Sequence, residues 1–377
     1  MIPLAIPNLS GNEAAYLQEC VDTNFVSSVG PFVDRFEREL ERITGAAAVA
    51  TTTGTAGLQV ALWAVGVRRD DLVILPSLTF IASANAIAHC GASPWLLDID
   101  PASWTLDAEA LRRALDAACE RRGGETRHRP TGRRVAAVMP VHTLGVVADM
   151  DPIVEVARSY GLAVVADGAA CLGADYRGRP LGATGADLTV LSFNGNKTVT
   201  AGGGGAVLGA DGPLTDRVRH LTTTARISSA YEHDEVGFNH RLTNLQAAVG
   251  CAQLEQLDGF VAAKRRIAAR YARELAGSDG LEAFPAPDWS RSACWLSGVV
   301  LRDRAREPLL AALEAEGIGA RAFWRPMGLQ RPYRDAPREP TPHCDAVWES
   351  IVTLPCSTQL RDDEQSRVIE AVRRGLA

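Results

Sequence analysis

The sequence contains no Cys-x-x-Cys pair and no zinc-finger spacing. Its eight cysteines (Cys20, Cys90, Cys119, Cys171, Cys251, Cys294, Cys344 and Cys356) stand singly. In a chain of 377 residues such thiols read as buried or idle, which argues against a disulfide framework and against a metal centre. No run approaches the roughly 18 apolar residues that a membrane span needs. The opening MIPLAIPNLSGNEAAYL has no basic stretch ahead of an apolar core, so it does not read as a secretory signal. A cytoplasmic protein is the expectation. Excess positive charge is also missing: the net charge is −6 and the pI about 5.7, which disfavours a nucleic-acid-binding surface. There is no internal repeat at a period of about 20–50 residues. A Gly-x-x-x-x-Gly-Lys-Ser/Thr phosphate loop is absent, and the run Gly202–Gly205 does not meet the dinucleotide pattern Gly-x-Gly-x-x-Gly.

What is present is ordinary globular material, 46% hydrophobic and 22% charged, enough for one large domain and a smaller one. Apolar runs at 71–76 (DLVILP), 93–98 (SPWLLD), 135–140 (VAAVMP), 162–167 (LAVVAD) and 188–192 (LTVLS) read as buried strands. Helical patterns lie between them at 58–65, 108–118 and 153–159. Strands alternating with helices predict a mostly parallel sheet covered on both faces, with ligands beyond the carboxyl ends of the strands. Residues 244–275 run without proline and predict a long helix joining two domains, with a break near Gly250 or Gly259. The remainder reads as a smaller α/β domain, giving boundaries of 1–250 and 251–377. Residues 121–134 hold six arginines. They read as a solvated loop, with contact to a diphosphate as the alternative.

Several residues could carry chemistry, and each has a plainer reading. The turn Thr53-Gly54-Thr55-Ala56 opens a helix, whose free N–H groups suit a phosphate but equally form a simple cap. Asp167 closes a strand, where a carboxylate can cap a helix or face a ring nitrogen. Lys197 follows another strand end in Ser192-Phe-Asn194-Gly-Asn-Lys197, where a solvated charge is the common case. Together these residues change meaning. Pyridoxal phosphate needs a lysine for an imine, an acid at the pyridinium nitrogen, an aromatic face and anion donors. The order Thr53–Thr55, Phe80, Asp167, Ser192, Lys197 offers all of them.

The chain resembles the DegT/StrS family of sugar aminotransferases. The resemblance rests on TTGTAGLQVAL, LPSLTFIASANAI, PVHTLGVVADMD, VVADGAACLGA, SFNGNKTVTAGGGG, VGFNHRLTNLQAAVG and VTLPCSTQL, which span essentially the whole chain. It implies PLP fold type I, the aspartate aminotransferase-like α/β architecture: a large domain on a mostly parallel seven-stranded sheet plus a small C-terminal α/β domain. It also implies transamination through pyridoxamine phosphate, from an amino acid such as glutamate to a nucleotide-linked keto-sugar. Lys197 would form the aldimine and Asp167 would face the pyridine nitrogen. Phe80 would stack on the ring, and His142 would lie near the pocket as either a contact or a structural histidine. Ser192, Asn194 and the turn Gly54, Thr55, Ala56 would hold the cofactor's phosphate side. Asn239, in GFNHR, resembles a residue that reaches into a neighbouring subunit's site, so a homodimer with shared sites is expected. Residues 6–37, LTTTAR and HDEVGFNHRL look closest to a subgroup that aminates a UDP-linked 4-keto sugar on the way to legionaminic acid.

Two departures bear on the substrate. Ala170 stands where the family usually has Gln or Glu, and Gly328 where histidine is frequent. Both are expected to enlarge or depolarise the pocket. That keeps open a longer-chain sugar nucleotide or a keto intermediate of a specialised metabolite as the acceptor, and a catalytically idle regulatory relative as the rival from another class.

Overall fold

The computed structural model describes residues 1–376 apart from 211, 276, 278, 279 and 303. The expected strands form, and two more join them. The central sheet comprises β1 (Ala47–Thr51), β2 (Leu72–Pro76), β3 (Ser93–Leu97), β4 (Val135–Val138), β5 (Ala163–Asp167), β6 (Leu188–Ser192) and β7 (Gly205–Gly209). Its order is β1-β7-β6-β5-β4-β2-β3. β7 runs antiparallel to both neighbours, while β6, β5, β4, β2 and β3 are paired in parallel. Ala48, Ala50, Ile74 and Val164 face one apolar cluster, and Val49, Val73, Val165 and Val207 face another. The sheet is thus buried on both sides, as continuous apolar strands require.

β1 and β7 escape the sequence pattern because they are built mostly from alanine, glycine and valine. Their small side chains let the chain approach the turn after β1 closely. A Cβ on Gly205 would lie 2.6 Å from the Gly54 nitrogen, and one on Gly54 would lie 2.9 Å from Ser192 Cβ.

The predicted long helix is two: α1 (Asn244–Leu254) and α2 (Leu257–Leu275). The break falls at Glu255–Gln256 and at neither glycine. Gly250 instead admits a neighbour, because a Cβ there would meet the Phe36 ring at 2.5 Å. Thr243 opens α1 with a reciprocal capping box to Gln246. Beyond α2, four strands form an antiparallel sheet: β8 (Leu281–Ala283), β9 (Ser297–Leu301), β10 (Arg321–Ala322) and β11 (Ile351–Leu354), in the order β8-β9-β11-β10. A third apolar cluster, including Leu78, Leu144, Ala170, Trp295 and Phe323, joins this sheet to the carboxyl edge of the central one.

The arginine-rich stretch is a hairpin, Cys119–Arg122 paired with Glu125–His128, and it leads into the amino end of β4. Its arginines are largely spent on the protein itself. Arg133 donates to the Ser93 hydroxyl and the Asp71 carbonyl, and Arg134 pairs with Asp71. Contact with a substrate diphosphate is therefore corrected: the hairpin lines none of the cavity at the opposite, carboxyl edge.

Candidate active site

A cavity of about 580 Å³ opens where β1, β2, β4, β5 and β6 end, and the small sheet closes it with Leu296, Arg321, Phe323 and Trp324. Gly54, Thr55, Phe80, Asp167, Ser192, Asn194 and Lys197 all line it. Ala56 does not, and its N–H donates to Thr53 Oγ1 at 3.0 Å and is occupied by the cap. The N–H groups of Gly54 and Thr55, at the first turn of the helix Gly54–Ala64, have no helical acceptor and keep the positive end of the helix open. Asn239 lies outside its own chain's cavity and is exposed.

Asp167 ends β5 and is only 5% exposed. Burial pushes its carboxyl up. The Ser83 hydroxyl, donating to Oδ2 at 2.7 Å, the Ala169 N–H on Oδ1 at 3.1 Å and the charge of Lys197 pull it back. Ser83 in turn lies 2.9 Å from Thr79 Oγ1. Sequence reasoning missed Ser83, and only its spacing after Phe80, on the first turn of the helix Ile81–His89, hints at it.

Lys197 sits in a loop folded onto the glycine run. Its N–H donates to the Asn194 carbonyl at 3.0 Å, and Phe193 is bonded to both Gly204 and Ala201. Burial brings the Lys197 ammonium down to about 8, against the opposing influence of Asp167 and Cys171. Its Nζ lies 3.7 Å from the centroid of the Trp295 ring. Trp295 is a second residue that the sequence did not disclose.

The remaining walls suit a flat, polar-edged ring with a phosphate arm. Phe80 is 53% exposed, with its ring 5.8 Å from that of Trp324. His142 is 1% exposed. Burial lowers its pKa to about 4, so it is neutral at ordinary pH. Its Nδ1 accepts from the Ala148 N–H at 3.3 Å, which puts the proton on Nε2. That Nε2–H is buried with no partner among the described residues, a donor waiting for an acceptor in the cavity. Ser192 Oγ accepts from the Asn194 N–H at 3.4 Å, which leaves its own proton for a ligand. A buried carboxylate, an unpaired imidazole donor, an open aromatic face and a helix start are the donor set that pyridoxal phosphate requires. The residues fit that cofactor.

The two departures resolve differently. Ala170 belongs to the apolar cluster with Trp295 and Phe323, so that wall is depolarised and packed. Gly328 lines none of the cavity, and a Cβ there would meet Arg338 Nη1 at 2.7 Å. Its expected effect on the pocket is corrected accordingly.

A mostly parallel sheet that brings these groups to one cavity defines a pyridoxal-phosphate-dependent transaminase of fold type I. More narrowly, the chain belongs to the DegT/DnrJ/EryC1/StrS aminotransferase family, whose model matches residues 7–373. It is 37% identical to a GDP-perosamine synthase of Caulobacter vibrioides, over 98% of this chain and 97% of that one. It is 32% identical to a GDP-perosamine synthase of Escherichia coli O157:H7, over 98% and 97%. Among solved structures, DesV of S. venezuelae in complex with a ketimine intermediate superposes with a TM-score of 0.87. The two are 31% identical, and the match covers 97% of this chain and 94% of that one. The names of the two synthases carry a GDP-linked sugar, whereas residues 6–37 pointed to a subgroup working on a UDP-linked one. Among the described residues no helix is long and apolar enough to cross a membrane.

Proposed function

We propose that this chain transfers an amino group from an amino acid, glutamate being the expected donor, to the keto group of a nucleotide-linked sugar. The observation that carries the reading is the placing of Lys197 and the buried Asp167 on one cavity whose other walls suit a phosphorylated aromatic ring. Pyridoxal phosphate, when bound, supplies an aldehyde that captures amines and a protonated ring that withdraws electrons from the adjacent carbon.

The chain's own residues do the rest. Asp167 would face the ring nitrogen and hold a proton there, with Ser83 and Ala169 favouring its charged form against burial. Burial lowers the Lys197 ammonium toward neutral pH, so that a neutral fraction is available there. That fraction can take the proton from the donor's Cα and return it to the acceptor carbon. Thr55, Ser192 and Asn194 would hold the phosphate side, and Phe80 would cover one ring face. His142 Nε2–H would be available to donate to the ring's polar edge. Arg321, exposed on the cavity wall and paired with no carboxylate among the described residues, suits the anionic handles of both substrates in turn.

A GDP-linked sugar is our first choice of acceptor, because of the named relatives. The apolar wall of Ala170, Trp295 and Phe323 suits a deoxygenated sugar carbon better than a hydroxyl. We further infer a homodimer. Asn239 is exposed and lines none of its own chain's cavity, on a segment that exposes Ile227, Tyr231 and Val236. Such a patch is best covered by a second copy.

The test is spectroscopic. The purified protein should absorb near 420 nm (about the value for a lysine-bound pyridoxal), lose the band in Lys197→Ala, and be bleached by glutamate. The bleached enzyme should recover the band with a GDP-linked keto-sugar faster than with UDP- or dTDP-linked analogues. A band unmoved by glutamate but bleached by another amine overturns the donor, and recovery with none of the sugars overturns the acceptor.

A further inference from the structure

Of the chain's 39 lysines and arginines, all but Lys197 and Lys264 are arginine. Both lysines converge on one residue, Trp295. Lys197 Nζ lies on its ring face, 3.7 Å from the centroid. Lys264, on α2 and only 2% exposed, donates to the Trp295 carbonyl at 3.0 Å and to the Cys356 carbonyl at 2.6 Å, with Cys356 Sγ at 3.7 Å. No carboxylate pairs with Lys264 among the described residues.

A buried ammonium without an anion is costly unless its hydrogens are all placed. Here three acceptors take them, in a space suited to a compact ammonium and not to a planar guanidinium fork. The ring is fixed from two further sides. Its Nε1–H donates at 2.8 Å to the carbonyl of Asn196, the neighbour of Lys197, and its backbone N–H donates to Leu144 at 3.1 Å. Trp324, 6.0 Å away, backs it from the small sheet.

We propose that the Trp295 ring face is the seat of the Lys197 amine whenever that amine is free, and that Lys264 is the positioning residue that holds the ring in place. The proposal rests on Lys197 being the cofactor's lysine, and it adds where the freed amine goes. An aromatic face attracts an ammonium more weakly than a buried carboxylate does, so it retains the charge without trapping the proton. The other groups around Lys197 are Asp167 at the end of β5, Cys171 in the turn beyond it and the neutral His142, with Arg321 on the cavity wall. None of them contacts the ammonium as a salt-bridge partner within the described residues.

Because the chain holds two lysines, the full-length protein without cofactor, labelled at lysine Cε for NMR, should give two resonances. Lys197→Ala assigns them. The midpoint of the Lys197 titration should fall in the order wild type, Trp295→Phe, Trp295→Leu. The last should drop by about one pH unit, a tenfold change in acidity. Lys264→Met should lower it in the same direction, because the ring is released. Lys264→Gln, which can still donate to a carbonyl, should stay closer to wild type and serves if the methionine variant does not fold. Unchanged midpoints overturn the proposal. So does a rise in Trp295→Leu, which would mean that the ring only excludes water. Whether Lys197 carries the cofactor at all is read separately, by covalent trapping.

Discussion

The Ser83 hydroxyl donates to Asp167 Oδ2 at 2.7 Å, joining the third residue after Phe80 to a carboxylate 84 positions later. This bond, with the Ala169 N–H, opposes in part the desolvation that raises the Asp167 pKa. Ser83→Ala should therefore weaken the hold on the ring nitrogen. We expect kcat to fall about 10-fold, the scale of a hydrogen bond to a charged group, with weaker cofactor retention on dialysis. Unchanged turnover would mean that Ser83 only packs.

Asp167 also gives a stability prediction with a definite sign. Its folded pKa is raised, so the folded state binds the proton more tightly than the unfolded chain. The stability it contributes is present at low pH and is lost as pH rises through the folded value. In the cofactor-free protein, Asp167→Asn should raise Tm at neutral pH by about 2–4 °C and change it little in the acid range. The same variant should lose activity by on the order of 100-fold or more. Thermal melts at two pH values, with and without cofactor, check both statements.

The lowered Lys197 pKa predicts how the stripped protein recaptures its cofactor. Only a neutral amine attacks an aldehyde, so the rate of covalent capture should rise with pH to a plateau, with a midpoint at about 8. Stopped-flow absorbance gives the profile. A midpoint near that of a solvent-exposed lysine would contradict the burial on which the site depends.

If Asn239 completes a neighbour's site, two crippled variants should rescue each other. Lys197→Ala and Asn239→Ala, unfolded together and refolded one to one, should form mixed dimers with one intact site. Roughly a quarter of wild-type activity should return at limiting cofactor, from half the dimers with one working site each. No recovery would show that Asn239 acts within its own chain or not at all.

Much of this was legible in the sequence, and what was not has physical reasons. β2 through β6 announced themselves as apolar runs, and Asp167, Ser192 and Lys197 sat at strand ends, where ligands bind in such sheets. β1 (AAVAT) and β7 (GAVLG) were silent because close approach of the chain there demands small residues, which erase the strand signal. The glycines at 250 and 259 suggested a helix break, yet Gly250 serves packing against Phe36 and the break comes elsewhere. Ala56 looked like a phosphate donor until the Thr53 cap claimed its N–H. Ser83, Trp295 and Lys264 act through contacts formed only when distant segments meet, and no local spacing encodes those.

The most direct measurement is reductive trapping. Borohydride treatment of the holoenzyme, followed by digestion and mass spectrometry, should place a pyridoxyl group on the peptide containing Lys197 and leave Lys264 unmodified. A label on Lys264, or no label on either of the chain's two lysines, would contradict the account.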